Sequence, residues 1–416
     1  MNESIAQKAS RRDYTGYRWI VLAASCFVNL CIGSLYAWSV FASPMGEHLS
    51  ALAGADVGSL AVVFTVANAV GPITMISGGA VNDRIGPRWV ILVGGALFGA
   101  GMIASGFATS VGMLVVSYGL GCGLGMGMVY GATVSNAVKF FPDKSGLVGG
   151  IATASYGISS VIVPVVANAL IAQFDVTAAF KIIGAVMVAV ICASSFFIDA
   201  CPRGFAPRGW TPPSRVGAAQ EGKDWRGMLR DPVFYIMIAM LCCGAFSGLM
   251  VTSQASPIAQ GMIGMDAGQA AVAVSVLALA NTLGRIASGF ASDKLGAVRT
   301  VRLVFVLLIA GLALLFASGP EASALFYLGM CTVGFCFGSI MGIYPGFTAA
   351  QFGSRDNSVN YGIMFIGFAL AGFLGPTIMN ALFASSGSYQ PAFVAAAILG
   401  ILGIALTFAY RRLTRR

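Results

Sequence analysis

Runs of about twenty apolar residues recur from one end of the chain to the other, and no other feature limits its fold so tightly. A helix of that length spans about 30 Å, the thickness of a bilayer's hydrocarbon core. Twelve runs stand out, roughly at 18–43, 55–80, 88–107, 111–139, 145–172, 178–198, 232–260, 267–291, 298–318, 322–351, 357–384 and 389–410. Only 9% of the 416 residues are charged, too few to cover a soluble globule. A β-barrel is excluded, because its spanning strands are about ten residues long and alternate in polarity. The first run is too long for the core of a secretory leader and follows the basic stretch KASRRDYTGYR, so no cleaved signal is expected. The expected class is an all-α membrane protein with twelve transmembrane helices.

The net charge of +9 would suit a nucleic-acid partner, but its placement argues otherwise. If the connections alternate between two sides, one side collects every Lys and Arg except Lys181 and Arg285. Such a bias orients a polytopic protein with its basic loops inside. Both termini are therefore expected in the cytoplasm, in a cell (inner) membrane, with the basic loops on anionic lipid and no nucleic acid bound. The nine cysteines lack CxxC or metal-ligand spacing and read as small buried hydrophobes. His48 falls in the first outer connection. No His, Ser or Cys constellation, metal spacing or cofactor motif appears, so neither enzyme chemistry nor a cofactor is expected.

GGAVNDRIGPR follows the second run and GFASDKLGAVR the eighth; aligning Asp83 with Asp293 sets Gly79 over Gly289 and Gly86 over Gly296. Six helices thus repeat in the same orientation, giving bundles over 1–198 and 232–416. The polar stretch 199–231, rich in Pro, Gly and charge, is a linker. The doubled loop resembles that of the major facilitator superfamily. The resemblance implies two six-helix bundles with a substrate site near the midplane between them. Asp83, Arg84, Asp293 and Lys294 are assigned to gating. An acid at a helix end can pair with nearby cations and with helix N-termini across the gap, latching the halves on the inner side. GLGCGLGMGMVYG in the fourth run matches no nucleotide-binding spacing; its glycines four apart expose backbone for close helix contact.

The stretch ALANTLGRIASGFASDKLG puts a charge where hydrocarbon is expected. Arg285 lies about 12 Å along the helix from Asp293, a depth at which a guanidinium costs at least about 2.5–3.5 kcal/mol. No Asp or Glu occurs deep in any of the twelve runs, so a structural ion pair does not account for it. Either backbone carbonyls and water neutralise the charge, or an anion from outside does. A planar fork that matches a carboxylate favours the second. Asn281, one turn earlier, shares its helix face. Tyr36, Tyr130 and Tyr156 offer hydroxylated rings on other helices. A cation or multidrug exporter would need an embedded carboxylate, and a membrane sensor a large soluble output domain; the sequence shows neither.

GSLYAWSVFASPM, VYGATVSNAVKFFPDKSGLVGG, SYG, NTLGRIASGFASDKLG and NYGIMFIGFALAGFLGP together resemble the oxalate/formate antiporter family, itself similar to the proton-linked monocarboxylate transporters. The resemblance implies that Arg285 binds substrate carboxylate and that Tyr36, Tyr130 and Tyr156 line the cavity. Phe337 and Phe365 would represent the aromatics of helices 10 and 11. Two positions depart from the pattern. The oxalate exchanger has a lysine where this chain has Phe368, and a dianion on one arginine would keep an unpaired charge in a low-dielectric site. A small monoanion such as lactate, pyruvate or formate is expected instead, with Leu35, Phe365 and Phe368 suited to a methyl group. Asn281 stands where proton-linked animal relatives typically place an aspartate, which removes the obvious proton carrier. Proton symport, anion exchange and uncoupled transport stay open, the monocarboxylate resemblance pulling towards symport. The expected partners are a small monocarboxylate, protons and the lipid bilayer, with a monomer as the working unit.

Overall fold

The computed structural model describes residues 13–211 and 222–414, the side chain of Ala267 excepted. Lys8, Arg11, Arg12, Arg215, Arg415 and Arg416, part of the charge bias, lie outside the described residues. Twelve helices are long and apolar enough to cross a membrane, and no strand occurs among the described residues. They are α1 (Tyr14–Ala53), α2 (Ala61–Ile85), α3 (Pro87–Ser105), α4 (Val111–Phe140), α5 (Ser145–Gln173) and α6 (Val176–Ser195). The second six are α7 (Pro232–Ser253), α8 (Ala267–Leu295), α9 (Ala297–Ala317), α10 (Ser323–Phe352), α11 (Asn357–Ser386) and α12 (Gln390–Thr414).

The largest departure from the sequence reading is at α1, which continues to Ala53, so His48 belongs to its last turns and not to a loop. Phe41, Met45 and Leu49 stay buried at four-residue spacing there, and that apolar stripe carries the helix through its polar tail. α7 ends earlier than expected, at Ser253, and resumes as the short helix Ala255–Ile263. Two spanning helices are irregular near their middles. α1 tightens into a 3-10 turn over Gly33–Ala37, which carries Tyr36. α11 breaks at Phe365, between Asn357–Met364 and Ile366–Ser386.

α1–α6 pack with one another, as do α7–α12, and the two bundles meet through α5 against α8 and α10 and through α2 against α11. Lipid supplies no hydrophobic drive between helices, so close backbone approach has to provide the attraction. The α4 glycines do this on two faces. Gly123, Gly127 and Gly131 pack on Ala67, Gly71 and Met75 of α2, while Gly121 and Gly125 pack on Gly101 and Phe98 of α3. A second set encloses α8. Gly146 and Gly150 of α5 lie on Gly289 and the Arg285 backbone, and Gly338 and Gly342 of α10 lie on the backbones of Asn281 and Arg285. Arg285 is thereby wedged between α5 and α10.

The repeated loop takes the same form twice. Gly86 and Gly296 have φ of 92° and 85°, values that favour glycine, and each caps the helix that follows. Gly79 packs on the Ser358 backbone of α11 and Gly289 on Gly146 of α5, so aligned glycines fill equivalent places across the bundle interface.

Replacing Gly342 by Val should lower the melting temperature of the detergent-solubilised protein, because a side chain there would meet the Arg285 backbone. Overpacking of this kind costs roughly 1–3 kcal/mol. Gly261→Ala, with open space around the site, should not lower it.

Candidate functional site

Arg285 is only 6% exposed. Its Nε donates to the Asn281 side-chain oxygen at 2.9 Å, and its Nη1 donates to the main-chain carbonyl of Thr153 on α5, also at 2.9 Å. Gly157, one turn along α5, leaves room for the guanidinium: a Cβ there would stand 3.3 Å from Nε. Among the described residues no carboxylate pairs with Arg285; the acids that form salt bridges are Asp13, Asp83, Asp143, Asp199, Asp231 and Asp356. The charge is held by neutral oxygens.

Beside it runs a continuous chain of rings. Tyr36 and Tyr156 meet edge-on with centroids 5.3 Å apart, and Tyr156 meets Tyr130 at 5.0 Å. Tyr130 lies 5.8 Å from Phe365, Phe365 stacks on Phe368 at 4.6 Å, and Phe368 stands parallel to Phe337 at 6.4 Å. Rings from α1, α4, α5, α10 and α11 are thus brought together. The Tyr130 hydroxyl is within hydrogen-bonding reach of Arg285, whose charge also acts on the phenols of Tyr36, Tyr156 and Tyr361. Leu35 is placed differently. It is fully buried, and its carbonyl accepts the Tyr118 hydroxyl at 3.2 Å, which ties it into the first bundle.

Two participants escaped the sequence reading. Tyr361 falls in the quoted NYG, one turn before Phe365 on the same face, so the signal was present. Thr153 acts through its carbonyl, which no side-chain pattern reveals. Chemically, the arrangement offers one fixed cation, several phenolic donors and a phenylalanine flank. It suits a small anion with an apolar tail.

At the end of the bundle that carries the basic loops, the two repeated aspartates each reach the other bundle. Asp83 accepts from Lys139 Nζ at 2.7 Å and from the Val359 N–H, at the start of α11, at 3.2 Å. Lys139 Nζ also donates to the Arg355 carbonyl at 3.0 Å. Asp293 accepts the N–H groups of Gly146 and Leu147, in the first turn of α5, each at 2.8 Å. Helix N-termini expose unpaired donors and a positive dipole end, so both carboxylates are well matched. Arg84 and Lys294 are exposed, and neither bridges the bundles; Lys294 lies over Phe290 of its own helix, 4.3 Å away. Among the described residues, every hydrogen bond between the bundles lies at this basic end or at the level of Arg285.

Comparison with known proteins agrees with this architecture. The profile of the Major Facilitator Superfamily matches residues 19–376. The oxalate:formate antiporter of Oxalobacter formigenes is 29% identical over 96% of this chain and 93% of its own length. Monocarboxylate transporter 12 of Rattus norvegicus is 23% identical over 95% of this chain and 84% of its own. Among solved structures, the major facilitator transporter FucP in its outward conformation aligns with a TM-score of 0.71, covering 95% of this chain and 99% of FucP. At 14% identity that likeness is one of fold.

Asp356, in the connection just before α11, makes the basic end sensitive to pH. Burial, and next the nearby Asp83 carboxylate, push its carboxyl above the ordinary carboxylate range. A carboxyl with a raised pKa in this arrangement binds its proton preferentially here. The contacts at this end are therefore favoured as pH falls through that raised value and lose this support above it. Probe distances across the basic end should show a pH-dependent shift that Asp356→Asn weakens.

Proposed function

The chain belongs to the Major Facilitator Superfamily and is a multi-pass membrane transporter, not an enzyme, and from that premise we propose that it carries small monocarboxylates of the L-lactate or pyruvate kind by alternating access. The observation that carries the proposal is the guanidinium of Arg285, buried among phenols and held by neutral oxygens alone. Neutral acceptors satisfy individual N–H groups but leave a whole positive charge in a low-dielectric site, and a carboxylate supplies what is missing. One cation accommodates one negative charge. Phe368 and Phe365, stacked on each other, offer the apolar flank for a methyl group.

In this reading Arg285, Asn281, Tyr36, Tyr130 and Tyr156 bind the carboxylate end, and Phe337, Phe365 and Phe368 enclose the tail. Asp83 and Asp293 latch the basic end shut, and Lys139 takes the cationic part of the latch in place of Arg84 and Lys294. The bundles 1–198 and 232–416 rock about the site on the linker 199–231. The Lys and Arg bias sets both termini in the cytoplasm of a cell (inner) membrane, and the monomer is the working unit.

Proton symport is the favoured coupling. An empty carrier must reorient with its arginine compensated, and the Asn281 side-chain oxygen, on the same helix as Arg285, offers that compensation. The alternative is anion exchange, supported by the similarity to the oxalate:formate antiporter.

The test is uptake by the purified protein in liposomes. L-Lactate and pyruvate should enter, faster with an inward proton gradient, and oxalate should compete more weakly than lactate. Arg285→Ala should lower uptake by at least about 30-fold, while membrane insertion and elution behaviour stay intact. Unchanged uptake in that variant would remove the basis of the proposal. Oxalate competing as well as lactate would overturn the monoanion reading, and stimulation by internal anion alone would replace symport with exchange.

A further inference from the structure

We propose that a cleft at the basic end, where α9 begins and α10 and α12 end, holds the phosphate of an anionic phospholipid. This site is separate from the one around Arg285 and independent of what is carried there. The cleft has a volume of about 300 Å³ and is lined by Ala297, Val298 and Arg299 of α9, Gln351 of α10, and Tyr410 and Arg411 of α12. Arg302, one turn after Arg299, belongs to the same group, because the charges of Arg411 and Arg299 both act on it. Like charges gathered in this way repel unless an anion lies among them. Among the described residues, none of the three arginines forms a salt bridge. Asp231, whose charge reaches Tyr410, is already paired with Lys223 at 2.6 Å. Arg302 Nε donates to the Thr407 hydroxyl at 2.8 Å, and its guanidinium lies 3.8 Å over the Phe408 ring. Its Nη2 is nevertheless buried without a hydrogen-bond partner, a state that folded chains seldom tolerate.

The corresponding corner of the first bundle is self-sufficient by comparison. There α3 begins at Pro87, which has no N–H to offer, and Arg88 is paired with Asp199 at 2.6 Å. In the second bundle α9 begins at Ala297, and no side chain caps its first N–H groups. Free N–H groups, a positive dipole end and three unpaired guanidinium groups together match a phosphate. The surroundings favour a lipid as its source. Leu303 and Val306 of α9 and Phe408 of α12, close to the arginines, are exposed on helices long and apolar enough to cross a membrane. Acyl chains that cover this apolar face carry their headgroup to the level of the cleft. In the orientation proposed above, that level is the cytoplasmic leaflet, where anionic lipids concentrate and where basic pockets between spanning helices bind their headgroups. A free phosphate would use the cations but leave the apolar face with no part in recognition.

Lipid retention by the detergent-purified protein, read by native mass spectrometry, tests the assignment without reference to transport. The protein is titrated with phosphatidylglycerol and separately with phosphatidylcholine, and wild type should retain the first more tightly. Arg299→Gln and Arg411→Gln should each weaken phosphatidylglycerol binding by about fivefold, the scale of one cation beside an anionic lipid surface. Arg412→Gln removes the same charge one position along but outside the cleft, and should leave binding nearly unchanged. The lipid-free melting temperatures of Arg299→Gln and Arg411→Gln should equal or exceed that of wild type, because each removes a repelling charge; a fall in both would make these arginines structural and overturn the assignment. Equal weakening by Arg412→Gln would reduce the attraction to general surface charge and overturn it too, as would equal retention of the two lipids. Displacement of phosphatidylglycerol by inorganic phosphate at equal concentration would make free phosphate the ligand and overturn the lipid reading.

Discussion

A full positive charge, sealed between two helix bundles and bonded only to neutral oxygens, is the constraint around which this molecule is arranged. The guanidinium of Arg285 can lie there because α5 and α10 present glycines to α8 where side chains would push it away. Close packing and the buried charge depend on each other. Bulkier residues at Gly150, Gly157 or Gly342 would separate the helices, and separated helices would move the Thr153 carbonyl out of reach. Packing and electrostatics are solved by the same residues.

The basic end shows how a duplicated sequence becomes a pseudo-symmetric device. Asp83 and Asp293 each lie against the N-terminus of a helix from the opposite bundle, α11 in one case and α5 in the other. The copies are not equal. Asp83 also holds Lys139, which reaches on to the Arg355 carbonyl, whereas Asp293 relies on two backbone N–H groups alone. Ion pairs and dipole contacts respond differently to salt and hydration, so the two inter-bundle contacts differ in their sensitivity to ionic conditions.

Much of this was legible in the sequence. Long apolar runs reveal spanning helices because bilayer thickness fixes their length, and the doubled loop reveals two bundles because its glycines and aspartates recur in register. Arg285, Asn281 and the rings of Tyr36, Tyr130 and Tyr156 could be named because polar groups are conspicuous against an aliphatic background, whereas Phe337, Phe365 and Phe368 were implied only by the resemblance to the oxalate/formate antiporter family. Leu35 had no such contrast, and its carbonyl is committed to Tyr118 inside the first bundle. Arg84 and Lys294 share a motif with the two aspartates, yet successive positions on a helix point about 100° apart, and theirs point away from the interface. Lys139 went unnoticed because its partner lies on another helix. The end of α1 was missed for a similar reason: a buried stripe holds Glu47 and His48 in helix although both are polar.

The bond from Arg285 to Thr153 joins different bundles, and its donor is also the group that would receive a carboxylate. A guanidinium nitrogen that turns to an arriving anion releases the carbonyl on α5, and a tie between the bundles goes with it. Occupancy and mobility then share one hydrogen atom. Cargo would loosen the two halves simply by taking a place that one of them had been holding.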